Sequence, residues 1–409
     1  MQPGTRLGSY QVIAPLARGG TAEVWLAQVA GSKGRQQSVV LKILLPHLAQ
    51  DPAFVRHFGA TAVLASRLDH PNLARVTDFG EADGRYFMAM DHVAGRDLRQ
   101  INDALRLRRE AMPSWVALRI VAAVCRGLHH AHELRDEAGG RLGLVHGDVS
   151  PDNIVVSYAG ASKLIDFGLG RVEPSSEGPA ALGLPLGKQR YMAPEQLFHL
   201  SIDRRADVYA AGAVLYECLT GFPPFRGANG AALRRQLLRG VPVPVRLINR
   251  DVSPRLEAVV LRALARDPGA RYGDARLLSA ELEEILGAGE DAERGLGYFV
   301  EWACGVVEAA GGLSGQGAAV GGTPARGPRG AVASRGSRVV RSGKLVALAA
   351  GSPGARDAAA QHFVAGLELV RRRAYGEALT HWERALALDP HDRIYRLNVD
   401  RLRVKLRPL

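Results

Sequence analysis

One ordered set of short motifs constrains this chain more than anything else in it. A lysine inside a β-branched run, VVLKIL around Lys42, is followed by HGDVSPDN from His146 to Asn153, DFG from Asp166 to Gly168 and APE from Ala193 to Glu195. Singly, each has a plain structural reading. An Asp after Gly is a turn residue, a DFG closes a strand with a tight turn, and Pro-Glu opens a helix. Together they supply a cation, two carboxylates and an amide in an order that phosphoryl transfer explains. The transferred group is dense in negative charge, and fixed cations with bound metal stabilise it without reorganisation.

The organisation around these motifs is two-part. Residues 10 to 45 alternate short β-like runs (YQVIAPL, AEVWLAQV, SVVLKIL) with Gly-rich breaks, the pattern of an antiparallel sheet. A segment from Phe54 to Leu68 carries Phe54, Phe58, Ala62 and Ala65 at helical spacing, and RYFMAMDHV reads as a further strand. Beyond Trp115, helical patterns dominate: WVALRIVAAVCRGLHHAHEL, DVYAAGAVLYECLTG, LEAVVLRALA and RLLSAELEEIL. A small β-rich lobe therefore precedes a larger helical one.

Composition narrows the setting. With 409 residues, 47% of them apolar, the chain can bury one large core and a second, smaller one. Three cysteines, Cys125, Cys218 and Cys304, suit neither a disulfide framework nor a zinc site, and a reducing, cytoplasmic location is expected. No secretory leader and no membrane span is read, because Glu301 and Glu308 interrupt the apolar run after Tyr298 and KLVALAAG is too short. The formal net charge is +12, and Arg326 to Leu409 holds 17 Lys and Arg against 7 Asp and Glu. With few aromatics to stack bases, that tail reads as a solvated basic surface, and nucleic acid is not an expected partner.

On these motifs, residues 10 to 287 resemble a Hanks-type serine/threonine protein kinase domain of the kind many bacteria carry. The resemblance covers about two-thirds of the chain. It implies an α+β, bilobal fold, ATP with Mg2+ (or Mn2+) as cofactors, and a protein substrate as partner. Carried over residue by residue, Asp148 accepts the proton of the substrate hydroxyl, and Asn153 and Asp166 hold the metal. Lys42 steadies the phosphates. Gly19, Gly20, Val24 and the hinge residues Met90, Asp91 and Val93 fall in the nucleotide-binding positions. Asp207 matches the aspartate that braces the catalytic loop, and Arg271 the arginine that pairs with Glu195; both are structural.

Several positions depart from the family pattern. Ala17 and Ala22 stand where the outer glycines of the phosphate loop belong. The helix that normally offers a carboxylate to the lysine has Thr61 at that position, leaving either Thr61 or Glu23 to substitute. Gly147 replaces the arginine before the catalytic aspartate, so phosphorylation of Ser175 or Ser176 is not expected to be the on-switch. Ser150 stands where a lysine is usual, and Lys188 where a threonine is usual. Since those two side chains meet at the catalytic aspartate in the family fold, Lys188 is hypothesised to supply the missing charge; otherwise it is a solvated loop lysine. The departures keep a second reading open, a pseudokinase that signals through protein contacts. A small-molecule phosphotransferase fits less well, because the APE segment and long activation loop serve protein substrates in this family.

Beyond this domain, an amphipathic helix is expected over 293–312, a flexible Gly/Ala/Arg-rich linker over 313–357 and a helical hairpin over 358–405. Gly366, Ala378, Trp382 and Ala385 fall where a tetratricopeptide repeat has Gly, Ala, an aromatic and Ala. The tail resembles one copy of that repeat, with a plain Ala/Leu/Arg/Glu hairpin as the alternative. One repeat cannot bury its own apolar face, so a neighbour is needed: a second copy, the kinase domain or a partner protein.

Overall fold

A computed structural model describes residues 1–30, 36–136, 138–167, 186–198, 200–287, 292–305 and 374–388, with scattered positions between 358 and 406. The first lobe is a six-stranded antiparallel sheet of β1 (Arg6–Leu7), β2 (Tyr10–Arg18), β3 (Ala22–Ala30), β4 (Gln36–Leu44), β5 (Val76–Ala82) and β6 (Arg85–Asp91), in the order β1-β2-β3-β4-β6-β5. Alternation along the strands splits the side chains between two cores. Tyr10, Val12, Trp25, Leu41, Ile43 and Phe87 pack on one face. Met88 and Met90 face the other way, onto α1 (Pro52–Ser66), through Phe58, Ala62 and Ala65. Phe54, expected on that apolar stripe, remains 39% exposed, so the buried stripe begins one turn later.

The second lobe opens with β7 (Gly95–Asp97) and continues through α2 (Leu98–Arg108), α3 (Ser114–His132), β8 (Ile154–Ser157) and β9 (Ser162–Leu164). Two short helices follow, α4 (Leu186–Gln189) and α5 (Pro194–Leu197). Then come α6 (Arg205–Thr220), α7 (Gly230–Arg239), α8 (Val245–Ile248), α9 (Pro254–Ala263), α10 (Ala275–Leu286) and α11 (Ala292–Cys304). Helix α6 is buried from Ala206 to Thr220, so its sequence lacks a polar face and reads as apolar nearly all round. Helices α3, α9 and α10 close around it. At Gly127 on α3 an added Cβ would come within 2.7 Å of the Leu73 side chain and 3.0 Å of the Asn72 carbonyl oxygen. The glycine therefore sets how closely α3 approaches the segment entering β5.

The helix expected over 293–312 is present as Ala292–Cys304; residues 306–312, the linker 313–357 and both Ser175 and Ser176 lie outside the described residues. In the tail, the helix Tyr375–Leu388 buries Ala378, Trp382 and Ala385. The Trp382 indole lies directly against Gly366, where a Cβ would collide with its ring. The same apolar cluster takes in Ala359, Val399 and Leu402 and is completed by Phe222, Val243 and Ile248 of the large lobe. Among the described residues no helix is long and apolar enough to cross a membrane. Cys125 and Cys218 are buried and free, and Cys304 is half-buried and free.

Candidate active site

The catalytic loop is held by one buried carboxylate. Asp207, in the first turn of α6, accepts hydrogen bonds from the backbone N–H groups of His146 and Gly147, each at 2.8 Å, and contacts His132 Nε2 at 2.8 Å. Burial raises the Asp207 pKa, but His132, His146 and the Gly147 N–H outweigh it and hold the group below the ordinary carboxylate value. Gly147 has φ +72°, which favours glycine and fits the absence of the arginine usual there.

His146 braces the loop from inside. Its Nδ1 accepts from the Asp148 N–H at 3.2 Å and its Nε2 faces the Ile165 carbonyl at 3.4 Å, a pairing that only the neutral ring satisfies. Burial pushes its pKa below the usual histidine value. The Asn153 amide donates to the Asp148 backbone carbonyl at 2.7 Å and to Asp148 Oδ2 at 2.9 Å. With its Nδ2 so engaged, Asn153 keeps its oxygen for another partner.

Lys42 of β4 donates to Asp166 Oδ1, and Lys188 of α4 donates to Asp148 Oδ2. Two cations thus enter from opposite lobes, one on each aspartate. Burial raises the Asp166 pKa, while the charge and hydrogen bond of Lys42, and the charge of Lys188, bring it below the ordinary value. The substitutes expected for the missing carboxylate do not reach Lys42. Thr61 donates to the His57 carbonyl within its own helix at 2.9 Å. Glu23 accepts from the Trp25 indole at 3.2 Å and lies near the amino terminus and Arg18. It is one residue out of phase with Val24, which pairs with Lys42, and the two-residue period of the strand turns it to the other face. Asp166 itself is the lysine's partner.

Gly19 and Gly20 form the turn between β2 and β3, where the Gly19 N–H donates to the Ala22 carbonyl at 2.9 Å. Neither has a positive φ, and an added Cβ would meet nothing within 4 Å at Gly20 and only the Ala22 oxygen at 3.7 Å at Gly19. The chain's own packing does not demand glycine there, which leaves room for close approach by a ligand. Met90 and Asp91 end β6, with the Asp91 N–H bonded to the Arg75 carbonyl at 3.0 Å, and half-buried Val93 follows. The free oxygens of Asn153 and Asp166 suit a hard divalent cation that takes its remaining ligands from phosphates and water. No cluster of three or more His, Cys, Asp or Glu side chains fit to hold a metal by themselves occurs among the described residues.

A further network, absent from the sequence reading, ties the segment bearing Lys188 to the loop. Arg99 of α2 donates to Glu217 at 3.2 Å, to Asp152 at 3.3 Å and to the Tyr191 hydroxyl at 2.7 Å. The Tyr191 hydroxyl donates in turn to fully buried Glu217, which Arg106 also contacts. Below it, Arg271 forks onto both oxygens of Glu195 at 2.6 and 2.8 Å, as expected from the sequence. Ser150 is buried, and its Oγ has no hydrogen-bond partner among the described residues.

Comparison with known proteins agrees with this arrangement. The protein kinase domain family matches residues 10–282. The tyrosine-protein kinase MasK of Myxococcus xanthus is 40% identical over 279 residues, covering 68% of this chain and 43% of its own length. The serine/threonine-protein kinase PknB of Mycobacterium leprae is 36% identical over 280 residues, with the same coverage. This chain thus spans less than half the length of these curated relatives. The crystal structure of the Mycobacterium tuberculosis PknI kinase domain superposes with a TM-score of 0.52 at 30% identity, covering 70% of this chain and 99% of that one. Over residues 10–282 the chain therefore belongs to the protein kinase domain family, of the Hanks type found in bacterial serine/threonine kinases.

Proposed function

We propose that the chain is an ATP-dependent protein serine/threonine kinase, acting in the cytoplasm with Mg2+ or Mn2+. The observation that carries this is the convergence of Asp148, Asn153 and Asp166 with a lysine on each aspartate. Bound ATP and metal supply the phosphoryl group and neutralise its charge. Asp148 Oδ2 is occupied by Lys188 and Asn153, which leaves Oδ1 to take the proton of the acceptor hydroxyl. Lys188 stands where it adds positive charge beside the transferred group, a charge that buried Ser150 cannot provide. Lys42, Gly19, Gly20 and Val24 line the phosphate side, and Met90, Asp91 and Val93 the adenine side.

The domain division follows the same reading: a kinase domain over 10–287, a helix over 293–312, a linker over 313–357 and a hairpin over 358–405. We read the hairpin as a single tetratricopeptide-like unit that takes part in protein contacts. What supports this is the small-residue seam of Gly366, Ala378 and Ala385 around Trp382.

The test is transfer of label from ATP, with magnesium or manganese, by the full chain and by Asp148→Asn, onto an acidic and a basic carrier protein. Label on serine or threonine that disappears in the variant is the expected result. Equal labelling in both favours the pseudokinase, the reading to which the acid-free helix α1 points. Label on tyrosine alone assigns the chain the acceptor type named for MasK.

A further inference from the structure

The peptide that leads into Asp148 is held on both sides. The Asp148 N–H donates to His146 Nδ1 at 3.2 Å, and the Gly147 carbonyl accepts from Gln196 Nε2 at 2.9 Å. His146 belongs to the loop itself. Gln196 sits on α5, 49 positions away, in the stretch of chain that also carries Lys188. Its amide has one orientation, because Oε1 accepts from the Ala193 N–H at 2.9 Å and only Nε2 can then face a carbonyl oxygen. The side chain starts from fixed ground, between Glu195, held by the Arg271 fork, and buried Leu197.

Gly147 is what makes this hold matter. At φ +72° it lies in the left-handed region, and without a Cβ it has the extended and right-handed regions open to it as well. Asp207 fixes the Gly147 N–H at 2.8 Å, on the near side of that rotation. The plane beyond it, between Gly147 and Asp148, is set by the bonds to Gln196 and His146, of which the Gln196 bond is the shorter. Turning this plane swings the Asp148 carboxylate, one residue on, away from Lys188 and Asn153, which both donate to its Oδ2. A Cβ at Gly147 would lie 3.8 Å from Gln196 Nε2, so the amide also packs against the glycine it restrains.

We propose that Gln196 is a positioning residue for Asp148: its amide locks the peptide after Gly147 and so keeps the catalytic carboxylate in register with Lys188. This rests on the kinase reading above, and adds to it a residue that acts through the backbone, not on the reacting groups. Proton transfer from an acceptor hydroxyl needs the carboxylate within hydrogen-bond reach and correctly aimed, and small displacements cost much of the rate.

Gln196→Glu and Gln196→Met separate the two bonds of the side chain. At about pH 7.5 the Glu side chain is ionised; it keeps an oxygen for the Ala193 N–H but turns the other toward the Gly147 carbonyl oxygen. Met fills the space and makes neither bond. Two measurements are made on the full chain: steady-state label transfer from ATP to a carrier protein, and amide exchange of the stretch 146–153. In both variants kcat is expected to fall about tenfold, at least as far for Glu as for Met, with KM for ATP unchanged. Exchange over 146–153 is expected to quicken in both, while α6 stays protected as in the wild type. Thermal unfolding identifies the folded variants; should either fail to fold, Gln196→Asn, one methylene short of Gly147, takes its place. A wild-type rate in Gln196→Glu with a loss in Gln196→Met makes the Ala193 cap the whole role of the residue and overturns the proposal. Unchanged exchange in a folded variant overturns it too, as does quicker exchange with an unchanged kcat. Quicker exchange in the variants, when even the wild type transfers no label, supports the hold on Asp148 and overturns the kinase reading alone.

Discussion

Lys188 reaches Asp148 across 40 positions of sequence and Lys42 reaches Asp166 across 124. The participants were legible because each belongs to a short motif or a family position; the pairing of Lys42 with Asp166 was not, since Thr61 and Glu23 both lay closer in sequence. Strand phase excludes Glu23, and the helix backbone takes Thr61. No motif marks Arg99. Its three partners are 53, 92 and 118 residues away, and no periodicity marks such a hub. Replacing Lys188 by Met is expected to lower kcat roughly a hundredfold, with little change in nucleotide affinity; steady-state kinetics against the wild type checks this.

His146 yields a second prediction at this scale. Burial holds its pKa below the ordinary value, so the folded protein keeps the ring neutral while the unfolded chain takes up a proton near pH 6.5. Its contribution to stability is therefore complete above that value and is lost as pH falls toward the folded pKa. Half-buried His70 and His129 shift the same way and add to the effect. The urea midpoint is expected to drop between about pH 7.5 and about pH 5.5, and less steeply in His146→Asn.

Among the elements, the strands and helices with clear periods were readable: β2, β3, β4, β6, α3, α6, α9 and α10 all fall on runs singled out in the sequence. Strand β5, VTDFGEA, has Asp78 and Glu81 within it and most of its side chains in water, so hydrophobic alternation does not announce it. Short α4 and α5 owe their places to tertiary bonds, not to propensity. The Gln196 side chain caps the Ala193 N–H at 2.9 Å and also reaches the Gly147 carbonyl at 2.9 Å. What fastens α5 from below is the Arg271–Glu195 fork, 3% and 5% exposed. Glu195→Ala leaves that guanidinium buried and unpaired and is expected to cost about 3–5 kcal/mol. Chemical denaturation reads the loss, and Arg271→Met in the same background restores part of it.

For the molecule as a whole, the two lobes follow from the switch in period near Trp115, whereas the position of the tail could not be read from composition. One hairpin lacks the area to close its own core, and three candidate neighbours were open. Phe222, Val243 and Ile248 supply the missing wall from the same chain. Phe222→Ser is therefore expected to raise amide exchange through Tyr375–Leu388 while leaving α3 protected, as mass-resolved exchange can show. Unchanged protection of the tail helix means that its core closes without the large lobe.

The same contact bears on how the protein is handled at the bench. A chain cut after Cys304, the natural choice for isolating the catalytic part, uncovers Phe222, Val243 and Ile248 together and turns a filled seam into a sticky patch. Poor solubility of such a fragment would reflect the missing tail, not a fault in the kinase fold, and serine or threonine at these three positions is the remedy to try first.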